Sequence, residues 1–181
     1  ADTWQILYQD DFAADPAWST DDPSGMRWDA ATQTFHGTQV NTQGTYAFKS
    51  ISGLDPNAAW RLEFDSMIIS AGWSSGLTFG LTDSTLLYSN GAAVDRGLVD
   101  QGFVTSLIAP GAYQTVSSPQ WVSGEWYTHI MEYDPVLDVL SLSVSVRSSG
   151  APFATMQVNV PGFSNDMIHL AATRLHMKNT G

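Results

Sequence analysis

The sequence predicts an all-β protein whose antiparallel strands form a two-sheet sandwich or jelly roll. Short segments alternate apolar and polar residues, turn sequences recur between them, and no long segment keeps a helical period. The 181 residues match the usual length of one domain, so we expect a single domain spanning residues 1–181.

The clearest predicted strand is LSLSVSVRSS (140–149), in which leucine and valine alternate with serine. Its predicted partner is WYTHIMEY (126–133), and the turn-like DPVLD (134–138) joins the two. Residues 88–102 are predicted to form the longest loop. The other predicted strands are TWQILYQDDF (3–12), TFHGTQV (34–40), TYAFKSI (45–51), WRLEFDSMIIS (60–70), LTFGLT (77–82), TMQVNV (155–160) and LAATRLHM (170–177).

Composition narrows the classes of partner. The net charge is −11 with seven Lys plus Arg, so the chain has no basic stripe for nucleic acid and no attraction to anionic membranes. There are no cysteines, which removes disulfides and thiol chemistry. No apolar run is long enough to span a bilayer. An acidic chain that is rich in serine and threonine suits a secreted, extracellular protein.

Four segments together resemble the concanavalin A-like (LamG, or lectin/glucanase) jelly-roll superfamily. They are DDF (10–12), WDAATQTFHG (28–37), WYTHIMEYD (126–134) and LHMKNTG (175–181). The resemblance implies two curved antiparallel sheets, glycan contacts on a concave face, and calcium at the rim.

The resemblance breaks down at the end of the chain. In many relatives a closing strand pairs beside the first strand, whereas this sequence ends at Gly181 before such a strand. The predicted first strand, residues 3–12, contains no lysine that would block its edge. We therefore expect self-association, or docking to another segment, through this sheet edge.

The strand WRLEFDSMIIS places Arg61, Glu63 and Asp65 on one face, because successive side chains of a strand point to opposite sides. We interpret this face as a glycan-binding surface. An alternative is catalysis by Glu63 with Glu132, since glycosidases of this superfamily use paired carboxylates. Ile68 stands where the glucanase motif has its third carboxylate. A third reading is a solvated face on which Arg61 pairs across strands.

Aromatic residues supply the other predicted contacts. Trp60 and Trp126 begin strands and are expected in the core, whereas Trp73, Tyr88 and Trp121 lie in loop-like stretches. Exposed rings in such loops can stack on the apolar faces of sugars. These three aromatics therefore join Arg61, Glu63 and Asp65 in the predicted carbohydrate site.

Aspartates crowd the turns and offer oxygen ligands for a structural calcium ion at the rim. The alternative is that each aspartate bonds the backbone of its own turn. The sequence leaves both open for Asp10, Asp11, Asp15, Asp21, Asp22, Asp83, Asp134 and Asp138.

The function predicted from these features is non-catalytic, extracellular carbohydrate binding by a lectin-like module. Two alternatives remain open: a glycoside hydrolase or polysaccharide lyase on the same fold, and a structural subunit of an extracellular assembly.

Overall fold

The computed structural model describes residues 4–37, 45–55, 57–69, 75–82, 91–99, 102–109, 112–117, 119–161 and 169–176. These ranges contain thirteen strands and no helix, and every strand pairing between them is antiparallel. In the same ranges, no helix is long and apolar enough to span a membrane. The strands are β1 Ser19–Thr20, β2 Met26–Asp29, β3 Thr34–Gly37, β4 Thr45–Ser50, β5 Trp60–Met67, β6 Ser75–Thr82, β7 Gly91–Val99, β8 Gly102–Ala109, β9 Ala112–Ser117, β10 Trp126–Asp134, β11 Val139–Val146, β12 Pro152–Asn159 and β13 His169–His176.

The strands form two main sheets. One has seven strands in the order β1-β4-β13-β6-β7-β8-β9, and the other has four in the order β12-β11-β10-β5. Strands β2 and β3 form a separate hairpin. The predicted all-β antiparallel architecture is confirmed.

The core lies between the two main sheets. Phe64 of β5 meets Phe79 of β6 with ring centroids 4.1 Å apart, so side chains from opposite sheets interdigitate. Leu107 of the seven-stranded sheet and Met131 of the four-stranded sheet are both fully buried. Burial of a side chain of this size stabilises the fold by about 1.5–3 kcal/mol.

The β10–β11 hairpin follows the predicted alternation. Leu140, Leu142 and Val144 are buried, while the serines between them are half-buried or exposed. The carboxylate of Asp134 accepts hydrogen bonds from the backbone nitrogens of Val136 at 2.8 Å and Leu137 at 3.1 Å, which closes the turn.

The strand prediction for residues 3–12 is wrong, because residues 4–12 form no strand. Exposed Trp4 and Ile6 bury no face there. Side chains hold this segment instead: Trp18 Nε1 donates to the Tyr8 hydroxyl at 2.9 Å, and that hydroxyl donates to Asp10 at 3.1 Å. The edge argument based on this strand therefore fails, and self-association remains a prediction.

The long loop predicted at 88–102 is also wrong. Strand β7 occupies Gly91–Val99 and pairs with β6 on one side and β8 on the other. Glycine, alanine and aspartate are poor strand formers. Pairing of the backbone on both sides overrides that preference, and the sequence prediction also missed β8 and β9.

Candidate functional site

The side of the four-stranded sheet that faces away from the core is a polar surface, which we call the outer face. It exists because the four strands alternate apolar residues on the core side with polar residues on the other. The outer face consists of Arg61, Glu63 and Asp65 of β5, Trp126, Thr128, Ile130 and Glu132 of β10, Ser141, Ser143 and Ser145 of β11, Thr155, Gln157 and Asn159 of β12, and Arg147 just after β11.

Arg61 binds two carboxylates of the outer face at once. One terminal nitrogen donates to Glu63 Oε2 at 2.8 Å, and the other donates to Glu132 Oε1 at 2.9 Å. Glu132 lies directly opposite Arg61 in the strand register, so the predicted cross-strand pairing is confirmed. The hydrogen bonds to Glu63, and then to Glu132, raise the pKa of Arg61 above its ordinary value.

A second cluster surrounds Asp65. Thr128, directly opposite in the register, donates to Asp65 Oδ1 at 2.6 Å, and Arg147 Nε lies 3.2 Å from Oδ2. The Arg147 guanidinium carbon also lies 5.8 Å from the centroid of the Trp126 ring. Both oxygens of this carboxylate therefore have a partner, one on the adjacent strand β10 and one just after β11.

The structure brings together the alternative catalytic residues Glu63 and Glu132, but in a setting unlike that of a general acid. Their side chains are 54% and 43% exposed, and both contact the Arg61 guanidinium. A glycosidase keeps its general acid protonated by placing it in an apolar environment. The arrangement seen here suits hydrogen bonding to a ligand better than proton donation.

Trp121 does not present its ring to solvent, so its predicted exposure is wrong. It is 6% exposed and packs against Phe153 and Tyr127, with ring centroids 4.1 Å and 4.3 Å away. Packing of this large ring against two other aromatic rings outweighs the loop character of its flanking residues. Trp73 and Tyr88 lie outside the described residues, and their roles remain predictions.

Trp126 lies on the outer face, contrary to the expectation that it belongs to the core. It is half-buried, whereas the next residue, Tyr127, is 2% exposed and points into the core. The signal was present in the sequence. Since Tyr127, His129 and Met131 form the buried set of β10, strand alternation places Trp126 on the opposite side.

The N-terminal aspartates bond their own backbone. Asp10, Asp11 and Asp15 each accept a hydrogen bond from the nitrogen two residues later, at 2.7, 3.0 and 2.9 Å. Within the described ranges, no three His, Asp or Glu side chains lie close enough together to hold a metal ion. A structural calcium ion remains a prediction.

The chain is similar to several solved structures, although no family model and no curated protein sequence matches it. Lectin II from Ulex europaeus has a TM-score of 0.60 at 12% identity, covering 87% of this chain and 82% of the lectin. The fold is a concanavalin A-like jelly roll.

Two further structures support this jelly roll. The CBM2 module of the evolved Dit from Lactobacillus casei BL23 phage J-1 has a TM-score of 0.55 at 13% identity, covering 83% of this chain and 69% of that module. The basic winged bean lectin solved with Tn-antigen has a TM-score of 0.54 at 9% identity, covering 90% of this chain and 86% of the lectin. At such identities the likeness establishes the fold alone.

Proposed function

We propose that this jelly roll is an extracellular, non-catalytic carbohydrate-binding module that binds glycan on its outer face. The observation that carries the proposal is the pair of polar clusters around Arg61 and Asp65, which lie side by side on β5 and β10. The Asp65 cluster lies next to the half-buried ring of Trp126, and the Arg61 cluster adds a guanidinium and two exposed carboxylates.

Sugars are bound by this combination of groups. Aromatic rings cover the apolar face of a pyranose, while fixed donors and acceptors contact its hydroxyl groups. The side chains of the outer face are already paired with one another, so less conformational entropy is lost when a ligand binds. The folds of the Ulex and winged bean lectins support the same class of ligand by analogy.

A structural calcium ion is the alternative to the turn role of the N-terminal aspartates, and it is tested separately from glycan binding. The aspartates of the N-terminal segment, including Asp10, Asp11 and Asp15, surround an open depression next to Gln9. A cation there would stabilise the segment without contacting the outer face, so binding measured with and without a chelator separates the two.

A glycan array and pull-down on insoluble polysaccharides, each run with EDTA or with added calcium, test the function. We expect wild-type protein to bind at least one glycan class, and the Arg61→Ala and Asp65→Ala variants to bind it more weakly. Ser52→Ala, at an exposed position outside the outer face, is the matched control. Wild-type protein that binds no glycan in either format contradicts the proposal.

A further inference from the structure

We propose that Trp126, Arg147 and Asp65 form a sugar-stacking subsite, and that this subsite selects uncharged glycans over polyuronates. The inference rests on the proposed function and specifies where the sugar ring lies and which class of glycan is bound. Trp126 is a half-buried ring on the outer face, whereas the next residue, Tyr127, is buried in the core.

Arg147 is fixed beside this ring by two separate contacts. Its backbone nitrogen donates to the carbonyl of Trp126 at 2.9 Å, which places the two residues opposite each other at the ends of β10 and β11. Its side chain then reaches Asp65, where Nε lies 3.2 Å from Oδ2. The guanidinium carbon therefore lies over the Trp126 ring, 5.8 Å from its centroid, while Nε is paired with Asp65.

The anchored guanidinium keeps hydrogen-bonding capacity for a ligand. The Arg147 side chain is 56% exposed, and its contacts in the described ranges are the ion pair of Nε with Asp65 and the approach to the Trp126 ring. A guanidinium presents five donors in a rigid fork, and the ion pair with Asp65 involves the Nε side of that fork. A pyranose that stacks on the exposed part of Trp126 would place its hydroxyl groups within reach of these donors.

Charge on the outer face indicates the class of glycan. Glu63, Asp65 and Glu132 outnumber Arg61 and Arg147, and each of the five takes part in an ion pair. A polyuronate would have to break these pairs while approaching a chain of net charge −11. An uncharged glycan neither is repelled by the net charge nor has to break these ion pairs. Further along the outer face, its hydroxyl groups can form hydrogen bonds with Ser143, Thr155 and Gln157.

Affinity electrophoresis tests both parts of the inference. Native gels contain hydroxyethyl cellulose, galactomannan, laminarin, alginate or polygalacturonate, and they are run with wild-type protein, Trp126→Ala, Trp126→Phe and Arg147→Ala. Trp4→Ala is the matched control, because Trp4 is 50% exposed and lies in the N-terminal segment. Thermal melts confirm that each variant is folded.

We expect one or more uncharged polysaccharides to retard wild-type protein, and Trp126→Ala to weaken that binding about 10-fold or more. Trp126→Phe should retain part of the affinity, Arg147→Ala should lose part of it, and Trp4→Ala should match wild type. If Trp126→Ala does not fold, Trp126→Phe and Arg147→Ala still report on the subsite.

Distinct outcomes overturn distinct claims. Equal retardation of wild type, Trp126→Phe and Arg147→Ala would refute the subsite and leave carbohydrate binding in place. Retardation by alginate or polygalacturonate as strong as by the uncharged polymers would refute the selectivity. No retardation in any gel would refute both the subsite and the proposed function.

Discussion

Phe64 and His129 lie directly opposite each other on β5 and β10, and their rings stack with centroids 4.6 Å apart and planes 6° apart. The imidazole is fully buried, and the Trp121 ring is nearly parallel to it at 6.3 Å. Nδ1 lies 3.1 Å from the carbonyl oxygen of Tyr127 and must carry the proton, because a carbonyl can only accept. A polar ring is thus part of the aromatic core beneath the outer face.

Truncation of this ring should destabilise the protein. We expect His129→Ala to lower the free energy of unfolding by about 2–4 kcal/mol, as for other large side chains removed from a core. Urea denaturation measures the change. Ser143→Ala, at an exposed position on β11, should stay within about 0.5 kcal/mol of wild type.

A second substitution separates ring packing from hydrogen bonding at His129. His129→Phe keeps an aromatic ring against Phe64 but removes the bond to the Tyr127 carbonyl. If ring packing contributes more than the hydrogen bond, His129→Phe should be more stable than His129→Ala. Equal losses in the two variants would show that the hydrogen bond matters more than the stacked rings.

The hydrogen bonds of Asp22 predict that part of the protein's stability is lost at acidic pH. Its Oδ1 accepts hydrogen bonds from the Ser24 hydroxyl at 2.7 Å, the Gly25 nitrogen at 3.0 Å and the Ser24 nitrogen at 3.2 Å. These bonds, led by the one from the Ser24 hydroxyl, lower the pKa of Asp22 below its ordinary value. A group whose pKa falls on folding stabilises the protein above its unfolded-state pKa, and that stabilisation is lost as the pH falls through the folded-state pKa.

Asp22→Asn removes the charge and keeps an acceptor. We therefore expect its Tm to lie below that of wild type at pH 7, and the gap to close as the pH falls below about 3.9, the unperturbed pKa of aspartate. Ser24→Ala removes the shortest of these hydrogen bonds. In that background, Asp22→Asn should therefore lower the Tm at pH 7 by less than it does in wild type. A constant difference between wild type and Asp22→Asn from pH 7 to acid would contradict this account.

Local alternation along strands determined which parts of the structure were predictable. Strands β10 and β11 have a period of two, so their existence, their pairing and their turn at Asp134 follow from the sequence. The predicted strand 140–149 extends three residues too far, because β11 ends at Val146, where the chain turns. Strand β7 has no such alternation. It exists because β6 and β8 pair with it, and that information is not local.

The same limit applies to the candidate site. The alternation that places Arg61 and Glu63 on one face is local, and the sequence also predicts that Arg61 pairs across strands, as it does with Glu132. Trp121 was misjudged because its flanking proline and glycine indicate a loop, while its burial depends on Phe153, more than thirty residues away. Contacts that join distant parts of the chain decide which aromatic ring reaches the surface.

The turn geometry of the N-terminal aspartates leads to a prediction about metal removal. Because Asp10, Asp11 and Asp15 already accept backbone hydrogen bonds, we expect EDTA to leave the Tm unchanged. A cation that binds only the folded state would raise the Tm as its concentration increases. A Tm that falls with EDTA, and recovers with calcium but not with magnesium, would establish a calcium site and overturn the turn-only account.

The last prediction separates binding from catalysis at Glu63 and Glu132. The Arg61 guanidinium holds both carboxylates on an exposed face, so we expect no release of reducing ends and no unsaturated products from any polysaccharide that the protein binds. Glu63→Gln and Glu132→Gln should change the free energy of unfolding by no more than about 1 kcal/mol, because exposed ion pairs contribute little. Reducing-end and absorbance assays on wild type and both variants measure product formation, and urea denaturation measures stability. Product formation by wild type that Glu63→Gln or Glu132→Gln abolishes would show that this pair is catalytic and that the module is an enzyme.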